Sequence, residues 1–534
     1  MDTNATFLSY SATGYFSTIL NDYITGEKEL APFYCYPVSA AGIQQAINQR
    51  NKFKTNRSLL AALLTSEYSH YPLTEKQSYN IAQLANDNVY TICTAHQPNI
   101  FTGHLYFIYK ILHAVKMAAV LSETTDAYFV PVYYMGSEDA DLDELGHIYT
   151  EGVRRQWHTK QTGAVGRMKV DNDFLKVIDE IEGQLTIHPF GADIIALMKN
   201  CYTAGTSIEQ ATFKLVNSLF ASYGLLILLP DSASVKKAFA PVMRNELLTG
   251  FSHTAVEETA TTFPARYKVQ ASGRAINLFY LTDTARERIV LDERGNYSVI
   301  NSTLTFTKEQ ILEELEQHPE RFSPNVILRP LLQEMILPNI AFIGGGGEIA
   351  YWLELKKVFD AACIPYPMLV TRNSFLLIEN KYALLAKKLK VNHADLFKSE
   401  AVLISELVKK ASSLQLSLQQ EIQQLNGWYE KVKHIAALTD PTLRTHTEAL
   451  QQKAIKKIIA LEKKLLQAEK KKFAAQQRQL HTLKAQLFPG GSLQERVENF
   501  MPFYARWGND FFTMLYNHSL SMEQQLCIIE TAQE

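Results

Sequence analysis

Cysteine is scarce and dispersed. Cys35, Cys93, Cys201, Cys363 and Cys527 form no C-x-x-C pair and have no histidine at zinc-finger spacing, a pattern that supplies neither a disulfide framework nor a metal motif and suits a reducing compartment. An excess of one charge is also missing. With 53 basic against 55 acidic residues the formal net charge is -2, so no global field favours nucleic acid or an anionic membrane, and any binding preference is local. No apolar run approaches the ~18 residues of a membrane helix. The opening MDTNATFLSY lacks the basic start and apolar stretch of an export signal, so the expectation is a soluble, cytoplasmic protein. Neither G-x-G-x-x-G nor G-x-x-x-x-G-K-[ST] occurs, which leaves NAD and Walker-type nucleotide binding without a motif.

What is present is a long chain with a globular balance. At 534 residues it exceeds the usual domain size, so two or three domains, or one core with large insertions, are expected. Hydrophobic residues make up 46% and charged residues 20%, which argues against disorder over most of the length.

Residues 1–85 mix short helical patterns with turn residues and carry no motif; they read as a helical lead-in that packs on the core. The run VYTICTA (89–95) is then β-branched and apolar, HQPNIFTGH breaks it, and an amphipathic helix pattern follows. This strand-loop-helix unit recurs. AYFVPVYYMG precedes the acidic SEDADLDELGHIY, and Leu225 to Leu229 precede a Pro-Asp-Ser break and a helix. After 325, helix RPLLQEMILPN, strand IAFI, loop GGGGE, helix IAYWLELKKVFDAA and strand YPMLVTR complete the series. Continuous apolar strands alternating with helices predict an α/β fold, a Rossmann-like parallel sheet covered on both faces. The core spans 86–395 with insertions at about 151–215 and 255–325, the second an antiparallel β insertion built from INLFYLTD, ERIVLDE and NYSVINS. Over 398–488 the chain is almost free of Gly and Pro. Apolar residues recur three or four apart at Leu407, Ala411, Leu414, Leu418, Ile422 and Leu425, and after a Thr-Asp-Pro break at Leu450, Ala454, Ile458, Leu461, Leu465 and Ala468. This predicts an antiparallel coiled-coil hairpin, with local unwinding between Ala468 and Phe473. Residues 489–534 are apolar enough to fold back onto the core.

In a doubly wound sheet ligands bind beyond the carboxyl ends of the strands, which makes the residues after each strand the candidates. His96 and Asn99 follow the first strand, and Thr102 and Gly103 open a helix whose free N–H groups and dipole favour a carboxylate or phosphate. His96 reads either as a capping or packing histidine or as a functional one; its place at a strand end beside a Gly-containing helix start favours function. Ser137, Glu138 and Asp139 follow the second strand, with Asp143 behind them, and can hold an ammonium group or act as a general base. Helix-dipole stabilisation explains such acidic clusters equally well. Gly344, Gly345 and Gly346, followed by Gly347 and Glu348, let the backbone approach a ligand. Arg329 and Arg372 stand at element ends, suited to a carboxylate or phosphate.

Taken together, HQPNIFTGHLYFIYKI, VPVYYMGSEDADLDELGHI, LFYLTDTARERI, RPLLQEMILPNIAFIGGGGEIAYWLELK and LFPGGSLQERVENF resemble, in order and spacing, the bacillithiol biosynthesis cysteine-adding enzyme family over about residues 85 to 515. The resemblance implies a core like that of nucleotidyltransferases and class I aminoacyl-tRNA synthetases, and a coiled coil that supports a homodimer. It also implies a ligase that joins the carboxyl of cysteine to the amine of glucosaminyl malate. Three positions depart from the family pattern: Ala95 where Gly is expected, and His104 and Gly346 where Pro is common. On this reading His96 is a polar or proton-transfer group, Glu138 and Asp139 face the amine, and the malate carboxylates or a phosphate meet Asn99, Thr102, Gly103 and Arg329. ATP or ADP is a candidate cosubstrate, although no Lys-Met-Ser-Lys-Ser loop and no His-x-Gly-His motif is present. No metal is implied. Competing readings are a nucleotidyltransferase or amide ligase of the same fold acting on another substrate, and a non-catalytic coiled-coil scaffold.

Overall fold

The computed structural model describes residues 2–271, 273–412 and 416–531. Five apolar runs form a parallel sheet: β1 (Val89–His96), β2 (Tyr128–Met135), β3 (Leu226–Leu228), β4 (Asn339–Gly344) and β5 (Met368–Thr371). Their order is β5-β4-β1-β2-β3. The chain steps outward from β1 to β3, then returns to the other side of β1, so the direction of winding reverses between β1 and β4. That reversal opens a crevice at the carboxyl ends of these two strands, where an open α/β sheet binds its ligands. These strands are buried on both faces, as continuous rather than alternating apolar runs require. Helix α1 (Tyr106–Thr124) packs on β1 and β2. Helix α2 (Ala233–Thr249) follows β3, α3 (Arg329–Ile336) precedes β4, and α4 (Gly346–Leu353) follows it directly.

The β insertion is an antiparallel sheet, and the three runs expected to be strands are Leu278–Leu281, Arg286–Leu291 and Tyr297–Val299. Its first part is helical: Phe251–Thr262 continues from Gly250, whose φ of 58° turns the chain out of α2. A second correction concerns the amino terminus. Thr3–Ser9 is a strand, pairing antiparallel with Gln525–Thr531, which in turn runs parallel to Ser374–Ile378. The lead-in is thus stitched to the far end of the chain, a pairing that no local pattern discloses.

The carboxyl-terminal helices follow the expected hairpin, except that its first arm is not one helix: Glu400–Ala411 ends at Ser412, whose ψ of 136° is extended, and a separate helix begins at Gln419, so Leu418 lies outside it. Gln419–Thr439 and Leu443–Lys470 flank the Thr-Asp-Pro break, and a short 3-10 turn, Lys471–Phe473, stands where the seam shifts. Cross-helix bonds from Gln451 to Asn426 (2.6 Å), Leu418 N–H to Glu462 (2.8 Å) and Ser412 to Glu469 (3.0 Å) fix an antiparallel register. Leu414, placed in the seam above, lies outside the described residues. No helix among the described residues is long and apolar enough to cross a membrane.

Candidate active site

A cavity of about 850 Å³ opens at the β1/β4 crevice. Eight of the residues singled out above line it: His96, Asp139, Arg329, Gly345, Gly346, Gly347, Glu348 and Arg372. They come from the ends of β1, β2, β4 and β5 and from the start of α3, so the parallel sheet itself gathers them.

The other seven are not brought to the cavity wall. Glu138 is buried in an ion pair with Lys236 of α2, whose Nζ also donates to the Phe322 carbonyl at 2.7 Å. Ser137 is buried beneath Gly166, whose N–H bonds the Ser137 carbonyl at 3.0 Å. Asp143 is exposed on the short helix Leu142–Leu145. Gly344 is interior to the sheet, its carbonyl accepting from Arg372 N–H at 2.8 Å. The loop Asn99 to Gly103, expected to present N–H groups to an anion, is instead occupied by the carboxyl-terminal segment. Asn499 Nδ2 donates to the carbonyls of Phe101 (2.9 Å) and Gly103, and Leu105 N–H donates to Glu498 O at 2.8 Å. Asn99 and Thr102 are buried. Phe101 (φ 50°) and Thr102 (φ 68°) sit in the left-handed region that side chains rarely adopt, and Gly103 follows at φ 71°. The α1 N-terminus is therefore a docking point for residues 497–499.

Behind the cavity wall stands a buried lysine that the motif reading passed over. Lys110 of α1 donates to the Ala95 carbonyl (2.5 Å) and to both Glu348 oxygens (2.9 and 2.7 Å), while Glu348 also accepts from Gly345 N–H at 2.8 Å. This bracket ties the end of β1 to the start of α4. Burial pushes the Lys110 ammonium below its usual range, against the pull of Glu348. His96 is held well below its ordinary value by burial, then by the positive charges of Lys110, His104 and Arg372. Its imidazole is neutral at physiological pH. Its Nε2 is buried without a hydrogen-bond partner among the described residues.

Asp139 faces Arg329 at 3.5 Å and accepts from Gln97 at 3.3 Å. Burial raises its carboxyl, but Arg329, Arg286 and its hydrogen bonds outweigh that and hold it below the usual range, ionised. Arg286, from the β insertion, lies over the Phe279 ring and donates to Ser323 and the Pro324 carbonyl. Burial, then repulsion from Arg329, lowers it to about 10. Arg372 pairs with buried Glu495 at 2.7 Å and stacks over Tyr106, binding the crevice to the carboxyl-terminal segment. Arg274 and Arg496 also reach the cavity, so five guanidiniums stand against the carboxylates of Asp139, Glu144 and Glu348. The arrangement attracts anions and places a neutral base among them.

Several of these residues were legible only in part. Lys110 interrupts an otherwise apolar helical face, a signal that could have been read. Arg286 opens a strand of the insertion, and Tyr15 to Ser17 and Leu20 come from the lead-in; neither segment carries a pattern that points to the crevice.

Comparison with known proteins agrees along the whole chain. Residues 1–373 match the family model "Bacillithiol biosynthesis BshC, N-terminal Rossmann-like domain", and residues 375–531 match "Bacillithiol biosynthesis BshC, C-terminal coiled-coil domain". Relatives named "Putative cysteine ligase BshC" include that of Flavobacterium johnsoniae, 38% identical over 98% of this chain and 99% of its own. The proteins of Flavobacterium psychrophilum (37%, covering 98% and 99%) and Bacillus cytotoxicus (25%, covering 94% and 96%) carry the same name. A solved structure titled "Crystal structure of putative arginyl t-RNA synthetase from Campylobacter jejuni" aligns with 79% of this chain and 98% of its own at 10% identity and a TM-score of 0.23, which supports no argument. With both family models matched end to end, a Rossmann-like domain followed by a coiled coil, the chain belongs to the BshC family of bacillithiol biosynthesis.

Proposed function

We propose that the chain is a ligase that joins the carboxyl of cysteine to the amine of glucosaminyl malate, forming the amide of bacillithiol. The observation that carries this reading is the crevice, where neutral His96, ionised Asp139 and an arginine-rich wall line one cavity. The names of the full-length relatives support the cysteine half.

An amine attacks an acyl carbon only as the free base, and His96, uncharged at the end of β1 with Nε2 unpartnered among the described residues, takes the proton as the N–C bond forms and the attacking nitrogen becomes strongly acidic. Asp139 holds the amine as it arrives. The arginines take the acidic half of the sugar conjugate, in place of the Asn99 to Gly103 loop. A free carboxylate is a poor acyl donor because oxide is a poor leaving group, so the cysteine carboxyl needs activation, for which a nucleoside triphosphate is the co-reactant class to test. Glu138, ion-paired with Lys236, serves to hold the end of β2. We also place the enzyme in the cytoplasm, in keeping with five cysteines that are all free. The coiled coil forms a homodimer; Trp428, Ile435 and Leu438, 56%, 64% and 76% exposed, supply the apolar surface for it.

The test is mass-spectrometric detection of bacillithiol from purified protein, cysteine and glucosaminyl malate, with and without ATP. Product that depends on ATP supports the reading, and product without ATP refutes the activation step while keeping the substrates. Absence of product in both, with calorimetric binding of nucleotide but not of the sugar conjugate, supports a different enzyme on the same core.

A further inference from the structure

Tyr134 is a buried polar group on the cavity that the mechanism above leaves unused. Successive residues of a strand point to opposite faces. Accordingly Tyr133 sends its hydroxyl to the His96 carbonyl at 3.2 Å, while Tyr134 lines the cavity from the other face of β2. Tyr134 is only 1% exposed, and its hydroxyl has no hydrogen-bond partner among the described residues. Buried tyrosine hydroxyls ordinarily find one, because an unmet donor in a low-dielectric site forfeits its hydration for nothing.

Its surroundings specify what is missing. Arg329 lies against Gly136, two residues on, and its charge acts on Tyr134. Arg286 lines the same cavity, and the charges of both guanidiniums act on Asp139, which Arg329 meets at 3.5 Å. Burial keeps the phenol protonated well beyond neutral pH, which makes it a donor. Glu138, the other nearby carboxylate, is engaged by Lys236. A phenol O–H and two guanidiniums therefore offer donors and a surplus of positive charge, and the group that accepts from all three is a carboxylate.

We propose that Tyr134, Arg286 and Arg329 form the carboxylate subsite for the amine-bearing substrate, with the Tyr134 hydroxyl donating to a carboxylate oxygen of its hydroxy-dicarboxylic acid moiety. This rests on the reading of the substrate given above. Tyr134 is then a specificity residue, selecting acceptors that carry the acidic group over bare amino sugars.

The experiment uses the full chain and Tyr134→Phe, which deletes one oxygen and leaves the ring. The KM for glucosaminyl malate rises about 10- to 100-fold, the worth of one hydrogen bond to a charged acceptor, while the KM for cysteine stays the same. The melting temperature is equal or higher, since phenylalanine leaves no unpaired hydroxyl. Arg286→Gln shows the same selective loss. An unchanged KM for the sugar conjugate, an equal rise for both substrates, or a fall in melting temperature overturns the proposal. Calorimetry with L-malate separates this idea from the ligase assignment: if wild type makes no bacillithiol but binds malate, and Tyr134→Phe weakens that binding, the subsite stands while the reaction does not. Failure of wild type to bind either malate or the sugar conjugate overturns the subsite as well.

Discussion

Replacing Lys236 by methionine tests whether Glu138 belongs to the scaffold. Both side chains are almost wholly buried, Lys236 at 0% and Glu138 at 3% exposure, and the lysine also donates to the Phe322 carbonyl of the β insertion. Methionine fills much of the same volume but removes the charge, which leaves the Glu138 carboxylate in the interior without its hydrogen-bonded counter-ion. Breaking a buried pair from one side costs ~3–5 kcal/mol, because the stranded charge keeps its desolvation penalty. The orphaned carbonyl adds ~1 kcal/mol. Removing the second charge as well, in Lys236→Met with Glu138→Leu, restores most of this, since an apolar pair of similar volume is close to neutral in stability. Equilibrium urea unfolding measures all three proteins, and the midpoint falls sharply for Lys236→Met and recovers in the double variant. The double variant keeps bacillithiol synthesis if Glu138 only anchors the end of β2. A single substitution costing under ~1 kcal/mol, or a double variant that folds as wild type yet is inactive, refutes this reasoning and returns Glu138 to the chemistry.

Three other outcomes are expected. His96→Asn lowers kcat/KM for the amine substrate by ~10²–10⁴ without altering far-UV dichroism, and the wild-type rate shows no limb near pH 6.5, because burial keeps the imidazole neutral well below that pH; an activity loss with an apparent pKa near 6.5 sinks the assignment. His113, buried with Nε2 donating to Ser521 O and Nδ1 accepting from Asn373 N–H, is lowered to about 4 by burial. Its folded value lies below the unfolded one, so its contribution is intact above pH 6.5 and is lost as pH falls towards 4, amounting to ~2 kcal/mol at pH 5. Urea midpoints of His113→Gln should change less than those of wild type between pH 7 and pH 5, and parallel losses refute the claim. Sedimentation equilibrium of Ile435→Glu with Leu438→Glu should show monomer where wild type shows dimer, and a wild-type monomer disproves the coiled-coil interface.

The local chemistry of the chain determined its elements by itself. Continuous β-branched runs at 89–95 and 340–343 can satisfy their backbone only as interior strands of a covered sheet, and they are β1 and β4. The Thr-Asp-Pro break separates two long helices because proline has no N–H to continue one. The rule that ligands gather beyond the carboxyl ends of strands was likewise readable, and it brought His96, Asp139 and Gly345 to one crevice.

Only the tertiary structure decided which neighbour in each cluster faces that crevice. Glu138 and Asp139 are adjacent and chemically alike, yet a lysine about a hundred residues on claims the first and an arginine turns the second to the cavity. The Asn99 to Gly103 loop had the residues of an anion site, but Asn499 donates to its carbonyls, and its N–H groups at Asn99, Phe101, Thr102 and Gly103 turn to Gln97 O, the Tyr202 hydroxyl, Asn99 O and Ile100 O. Thr3–Ser9 became a strand because Gln525–Thr531 offers a free edge. In each case the outcome depends on a partner far along the chain, and burial rewards whichever group meets its complement, a selection that spacing along the backbone does not encode.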